Sequence, residues 1–137
     1  VDFEPVAQEI VNNLSAGVIG SSAAVELSVN VDTVPTRISV ALGIVLNELL
    51  TNAIKYAVHG DNAPRIHATI AESETPGEIV LTVADNGPGL PEDVIRGERT
   101  GFGLTVVDAL AEQYRGSLDA RNDAGALVSV RLTRPDS

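Results

Sequence analysis

The sequence predicts an α+β fold, a two-layer sandwich with helices on one face of a mixed, mainly antiparallel sheet. Three observations carry this. Hydrophobic residues make up 44% of the 137 residues, nearly all Val, Ile, Leu and Ala, which suits one compact aliphatic core and leaves too little chain for two ordinary domains. Several segments alternate apolar and polar residues at the strand period, and others repeat at the helical period. Their order is helix, strand, helix, strand, strand, helix, strand, strand, which is not strict βαβ alternation.

Residues 3–14 place Val6, Ile10 and Leu14 four apart, beside Val11, the spacing of one helix face. Glycines and serines at 17 and 20–22 break the pattern. Residues 25–31 put Val25, Leu27, Val29 and Val31 on one side and Glu26, Ser28 and Asn30 on the other, a half-buried strand. Asp32-Thr33-Val34-Pro35 supplies caps and a proline for a helix start. A long helix is expected over about 36–58, ending near His59-Gly60. Residues 65–72 and 78–85 read as strands joined by a turn with Pro76-Gly77. Residues 86–100 are polar, glycine-bearing and without period, so a loop is expected. A helix over about 102–114 carries Leu104, Val107, Leu110 and Ala111 as its stripe. Strands over about 117–122 and 126–133 follow, joined by Asn122-Asp123-Ala124-Gly125. Residues 1–20 are expected to be an N-terminal helix or linker from an upstream domain, and 21–137 the globular domain.

Nineteen acidic residues against nine basic ones leave a net charge of −10, and Lys55 is the sole lysine. That balance argues against nucleic acid and against an anionic membrane surface as partners, since both are bound through basic patches. Without cysteine there is no disulfide framework, thiolate metal site or cysteine nucleophile. With only His59 and His67, a multi-histidine metal cage is not expected. No methionine occurs, even at position 1, which reads as a chain excised from something longer. The longest apolar stretch, Ile38 to Ile54, is interrupted by Ser39, Gly43, Asn47, Glu48, Thr51 and Asn52, so no membrane span is expected.

Three clusters carry chemistry. On the long helix, Asn52, Lys55 and His59 fall within about 40° of Glu48 at about 100° per residue, opposite Leu46, Leu49, Leu50 and Ala53. One stripe therefore presents a carboxylate, an amide and the only ammonium. An amide oxygen suits Mg²⁺ shared with phosphate oxygens, Lys55 can neutralise phosphate, and Glu48 can orient or deprotonate a nucleophile. A solvated surface stripe is the bland alternative. The second cluster is Asp85-Asn86-Gly87-Pro88-Gly89. Asp85 shares strand parity with Ile79, Leu81 and Val83, so its carboxylate ends an apolar row and needs a hydrogen-bond donor; an adenine amino group fits, and Gly87 and Gly89 allow close approach. A strand-ending Asp-Asn-Gly turn is the alternative. The third cluster, Thr100-Gly101-Phe102-Gly103-Leu104, opens a helix, and its free N–H groups suit an anion. No GxxxxGK[ST] signature is present.

In combination these residues resemble the catalytic ATP-binding domain of bacterial sensor histidine kinases, within the superfamily that includes gyrase, the heat-shock chaperone ATPases and the mismatch-repair ATPases. Glu48-Leu-Leu-Thr-Asn52-Ala-Ile-Lys55-Tyr56 is similar to the family's N box, Asp85-Asn86-Gly87-Pro88-Gly89 to its G1 box, Gly101-Phe-Gly103-Leu104 to its G2 box, and Gly125-Ala-Leu to the small terminal glycine box. The resemblance spans about residues 20–133. It implies a Bergerat-type fold with a left-handed β-α-β layout and with ATP and Mg²⁺ bound between helices under a lid, here Leu90 to Thr100. It implies that Asn52 coordinates Mg²⁺, Lys55 touches phosphate, Tyr56 lies near the sugar or base and Asp85 reads the adenine amino group. Gly87 and Gly89 would floor the pocket, and Thr100, Gly101, Gly103 and Leu104 would meet the phosphates and hinge the lid.

Two departures are specific to this chain. Glu48 stands where many histidine kinases carry asparagine, leaving its role as base or orienting group open. The lid is short and lacks a phenylalanine-bearing box, as in the short-lid subgroup; Arg96 and Arg99 are its basic residues, either phosphate clamps or ordinary surface arginines. Neither His59 nor His67 sits in a phosphoacceptor pattern. The resemblance thus implies γ-phosphate transfer to a histidine on an upstream dimerisation domain, a downstream response regulator, no direct membrane contact by this domain, and a cytoplasmic two-component setting. A stand-alone anti-sigma serine kinase and a non-catalytic ATP-gated interaction module are the competing readings, with Lys55-Tyr56 and Asp85-Asn86-Gly87-Pro88-Gly89 favouring the histidine kinase.

Overall fold

The computed structural model describes residues 1–17, 24–57, 65–95 and 104–134. Its elements are α1 (Phe3–Gly17), β1 (Ala24–Asn30), α2 (Thr36–Ala57), β2 (Arg65–Glu72), β3 (Glu78–Asp85), α3 (Glu92–Ile95), α4 (Leu104–Gln113), β4 (Ser117–Asn122) and β5 (Ala126–Thr133). The strands form one sheet in the order β1-β2-β3-β5-β4. Only β1 and β2, joined through α2, run parallel; the other pairs are antiparallel. The α+β sandwich expected from the sequence is the fold observed, and β2, β3, β4 and β5 keep the expected bounds.

Side-chain alternation makes one sheet face the core. The register aligns Leu27, Ala68, Val83, Val128 and Ala120 in one row across all five strands. Val29, Ile70, Leu81, Val130 and Leu118 form the next row. On the opposite face, Ser28, Thr69, Thr82, Ser129 and Asp119 align in the same way. Helix α2 lies across the middle strands, with α1 beside it over β1 and α4 beside it over β4 and β5. Its buried positions, among them Ile38, Leu42, Val45, Leu46 and Leu49, repeat at three and four residues, the stripe a core helix needs.

Over Thr36–Lys55, α2 is by length and composition apolar enough to cross a membrane, although its polar interruptions argued otherwise. More than half of that stretch is buried inside the protein, as a core helix requires.

Helix α1 packs into the same core. Phe3, Ala7 and Val11 are buried at four-residue spacing, with Val6, Ile10 and Leu14 partly covered. Its start is tied to the segment before α2. The Val1 ammonium donates to the Val34 carbonyl at 2.8 Å, and the Val34 N–H donates to the Val1 carbonyl at 2.8 Å.

Residues 86–100, expected to be loop throughout, contain α3. The N–H groups of Val94 and Ile95 donate to the Pro91 carbonyl at 3.1 and 3.2 Å, and Val94 is buried. Pro91 followed by Glu92 and Asp93 is a helix-start signal that the aperiodic composition masked. Burial of Val94 then stabilises a turn too short to hold alone.

Candidate functional site

One cavity forms where α2, the end of β3, the segment after it, α4 and β5 converge. It is lined by Asn52 from α2, Asp85 from β3, Pro88, Gly89 and Leu90 from the connection, Leu104 from α4, and Ala126 and Val128 from β5, with Leu49, Ala53 and Val83 as apolar walls. Its enclosed volume is about 20 Å³, room for about one water molecule. Segments 33 residues apart in sequence, at Asn52 and Asp85, thus meet at a single mouth.

Asp85 ends the core-facing row of β3 as its parity requires. Its Oδ1 accepts the Gly87 N–H at 2.8 Å and the Ala126 N–H at 3.2 Å. The first bond is the Asx-turn geometry of a strand-ending aspartate; the second ties the carboxylate to β5, 41 residues away. Oδ2 holds no hydrogen bond among the described residues, so the carboxylate is oriented by one oxygen and offers the other. Asn86 anchors the same segment to β2. Its Oδ1 accepts the Arg65 N–H at 2.8 Å, and its own N–H donates to the Arg65 carbonyl at 3.2 Å.

Of the residues singled out from the sequence, Asn52, Asp85, Gly89 and Leu104 line the cavity. Gly87 contributes its N–H to Asp85. Glu48 is half-buried and Lys55 exposed on α2, outside the lining. The side chain of Tyr56, together with His59, Arg96, Arg99, Thr100, Gly101 and Gly103, lies outside the described residues. His67 is exposed, its Nε2 3.5 Å from Ser28 Oγ on the open sheet face, the face away from the helices. Among the described residues, no group of three or more His, Asp or Glu is placed to hold a metal.

Sequence reasoning missed Asn122, and it took Leu90 only as the start of the lid and Ala126 only as part of the terminal glycine box. The Leu90 N–H donates to Asn122 Oδ1 at 2.8 Å, and Asn122 Nδ2 donates to the Leu90 carbonyl at 3.1 Å. The signal was available, because Leu118, Ala120 and Asn122 share one parity on β4, as Ile79, Leu81, Val83 and Asp85 do on β3.

The family model described as histidine kinase-, DNA gyrase B- and HSP90-like ATPase matches residues 37–136. The chain belongs to this ATPase family. Membership in a family of ATPases implies ATP as the nucleotide. Among curated relatives, the signal transduction histidine-protein kinase AfsQ2 of Streptomyces coelicolor is 33% identical over 113 residues, which cover 70% of this chain and 20% of that protein. The nitrate/nitrite sensor protein NarX of Escherichia coli is 31% identical over 100 residues, 73% of this chain and 15% of that protein. The chain thus spans about a fifth or less of the length of these two relatives.

Solved structures carry the same fold. The catalytic domain of histidine kinase ThkA matches with a TM-score of 0.79 at 17% identity, covering 98% of this chain and 93% of that one. The blue-light activated histidine kinase of Erythrobacter litoralis matches with a TM-score of 0.77 at 22% identity, covering 95% of this chain and 40% of that one. These structural matches extend over α1 and β1, which lie ahead of residue 37 where the family match begins.

Proposed function

We propose that this ATPase domain is the catalytic part of a two-component sensor histidine kinase. It binds Mg-ATP in the cavity between α2, β3 and α4 and passes the γ-phosphate to a histidine on a separate dimerisation domain. The observation that carries this reading is the convergence of Asn52, Asp85, Gly89 and Leu104 on one cavity. These residues come from the three sequence clusters that resemble parts of one nucleotide site, the third represented among the described residues by Leu104 alone, and the relatives AfsQ2 and NarX are named a signal transduction histidine-protein kinase and a nitrate/nitrite sensor protein.

In this reading Asp85 Oδ2 accepts from the adenine amino group, while Gly87 and Ala126 hold Oδ1. Gly89 and Leu90 form the floor. A purine is larger than the enclosed space, so binding widens the cleft. Lys55 reaches the phosphates, a role that the family resemblance also gives to Gly101 and Gly103. Asn52 supplies a neutral oxygen to Mg²⁺. The half-buried amide of Asn52 at the cavity wall fits a cation that takes few protein ligands and keeps phosphate and water oxygens. The cation supplies charge neutralisation during phosphoryl transfer. Glu48, half-buried one helical turn before Asn52, orients or deprotonates the acceptor. The acceptor histidine and the response regulator belong to parts of the system outside this chain, and the domain works in the cytoplasm.

The test uses radiolabelled Mg-ATP, this chain, and a histidine-bearing dimerisation domain supplied in trans. Acid-labile, histidine-linked phosphate is the expected product. Asn52→Ala is expected to lose Mg-ATP binding or turnover; transfer at the parent rate would remove Asn52 from the metal. Label on a serine instead of a histidine would favour the anti-sigma kinase reading.

A further inference from the structure

Two strands end their core-facing rows on a polar side chain at the same edge of the sheet. On β3 the row Ile79, Leu81 and Val83 ends in Asp85, and on β4 the row Leu118 and Ala120 ends in Asn122. Ala126 of β5 lies between them. It pairs with Asn122 in the sheet register, and its N–H donates to Asp85 Oδ1.

Asn122 could be taken as an ordinary residue of the β4–β5 turn. Its bonds say otherwise. Both side-chain hydrogen bonds go to Leu90, 32 residues away, while the turn closes itself through the Asp123 N–H and the Gly125 carbonyl at 2.8 Å. The amide meets Leu90 as a strand neighbour would, one acceptor to the N–H and one donor to the carbonyl. Leu90 lies beyond the end of β3, where no ladder partner satisfies its backbone.

The contact is also steric. Gly89 has φ +89°, and a Cβ there would lie 2.6 Å from Asn122 Oδ1 and 2.8 Å from Cγ. The Asn122 amide fills the space that a side chain at position 89 would need. Leu90 is itself buried, and four residues on, so is Val94 of α3. The clamp therefore grips the chain where the cavity floor passes into α3.

The geometry points to Asn122 as a positioning residue for nucleotide binding: through its paired bonds to Leu90 it sets Gly89 and Leu90 against Asp85 at the base end of the cavity. This rests on the reading of that cavity as the adenine site. Removing the amide leaves an N–H and a carbonyl of the floor without partners, at the cost of unsatisfied, partly buried groups.

The test compares the full chain with Asn122→Ala, Asn122→Asp and Asp85→Asn. In Asn122→Ala the dissociation constant for ATP is expected to rise about tenfold by titration calorimetry. That for adenosine, followed by ligand-observed NMR, rises by the same factor, because the loss is at the base end. Hydrogen exchange of the Leu90 amide accelerates, while that of Leu81 in β3 stays at the parent rate. Asn122→Asp keeps the acceptor for the Leu90 N–H and falls between parent and Ala. Parent-like ATP affinity in Asn122→Ala, alongside lost binding in Asp85→Asn, overturns the proposal alone. Equal acceleration of exchange at Leu81 and Leu90 overturns it too, since that marks general loosening. Parent-like ATP affinity in Asp85→Asn overturns the adenine reading and the proposal with it.

Discussion

Asp85→Asn separates the two jobs of this side chain. The amide carbonyl can take the place of Oδ1 and keep the bonds from Gly87 and Ala126, at 2.8 and 3.2 Å. The loss of charge weakens them, at a cost of about 1 kcal/mol. The NH₂ then occupies the position of Oδ2 and faces the base amino group, donor against donor. A hydrogen bond to a charged acceptor is worth about 1.5–3 kcal/mol, and an unpaired buried donor adds about 1–3. The sum of about 2.5–6 kcal/mol predicts a weaker affinity for Mg-ATP by roughly seventyfold to more than ten-thousandfold. A purine with a 6-oxo acceptor restores the pairing, so Mg-ITP is expected to bind the variant better than Mg-ATP. Calorimetric titration with both nucleotides, together with thermal melts, measures each part. The melting midpoint should fall only a few degrees. Asp85→Ala, which strands both N–H groups, should lose about 2–4 kcal/mol of stability. An Asp85→Asn chain that keeps its ATP affinity, or loses ATP and ITP alike, refutes the donor–acceptor argument.

Other changes probe the fold around the site. Phe3→Ala, at a fully buried position of α1, is expected to cost about 3–5 kcal/mol in urea unfolding; a cost near that of an exposed position would make α1 a dispensable linker. Gly125→Ala drives a Cβ into the Asp85 carbonyl oxygen at a residue with φ +138°. It should destabilise by more than about 3 kcal/mol and disturb Asp85 as well, and an unchanged melt would refute that close approach. The hydrogen bonds from Ser73 and Arg131 hold the Glu78 carboxyl below its ordinary value of 4.5. A depressed carboxyl adds stability above its unfolded value and loses it as pH falls through the folded one. Glu78→Gln should therefore narrow its stability deficit as pH drops below about 4.5, the unfolded carboxylate range, in unfolding measured across pH 3–7; a deficit independent of pH would count against the linkage.

Local pattern explains why so much of the fold was legible. Strict alternation located β2 and β3, because a one-residue slip in a half-buried strand turns every apolar side chain to water. The parity that places Asp85 at the end of a buried row follows from the same rule. On α2 the placing of Asn52 was equally readable, since it must face away from Leu46 and Leu50 if those pack on the sheet, whereas Glu48 and Lys55 of the same stripe lie outside the cavity lining. The readings that fell short were non-local. Val94 looked like part of an aperiodic loop because its burial depends on a core assembled elsewhere. Asn122 looked like a turn residue because its partner, Leu90, is 32 positions away.

The sequence by itself determined the order of the elements other than α3, the faces that must be buried and the three clusters that resemble a nucleotide site. Each follows from periodicity within a single segment. Tertiary structure alone decided that Asn52, Asp85, Gly89 and Leu104 share one cavity, and that α1 joins the core. It also decided that the β4–β5 hairpin holds both Asp85, through the Ala126 N–H, and Leu90, through Asn122. The physical reason is that a hydrogen bond across a sheet depends on register between distant strands, and register is set only when the whole apolar face has found its partners.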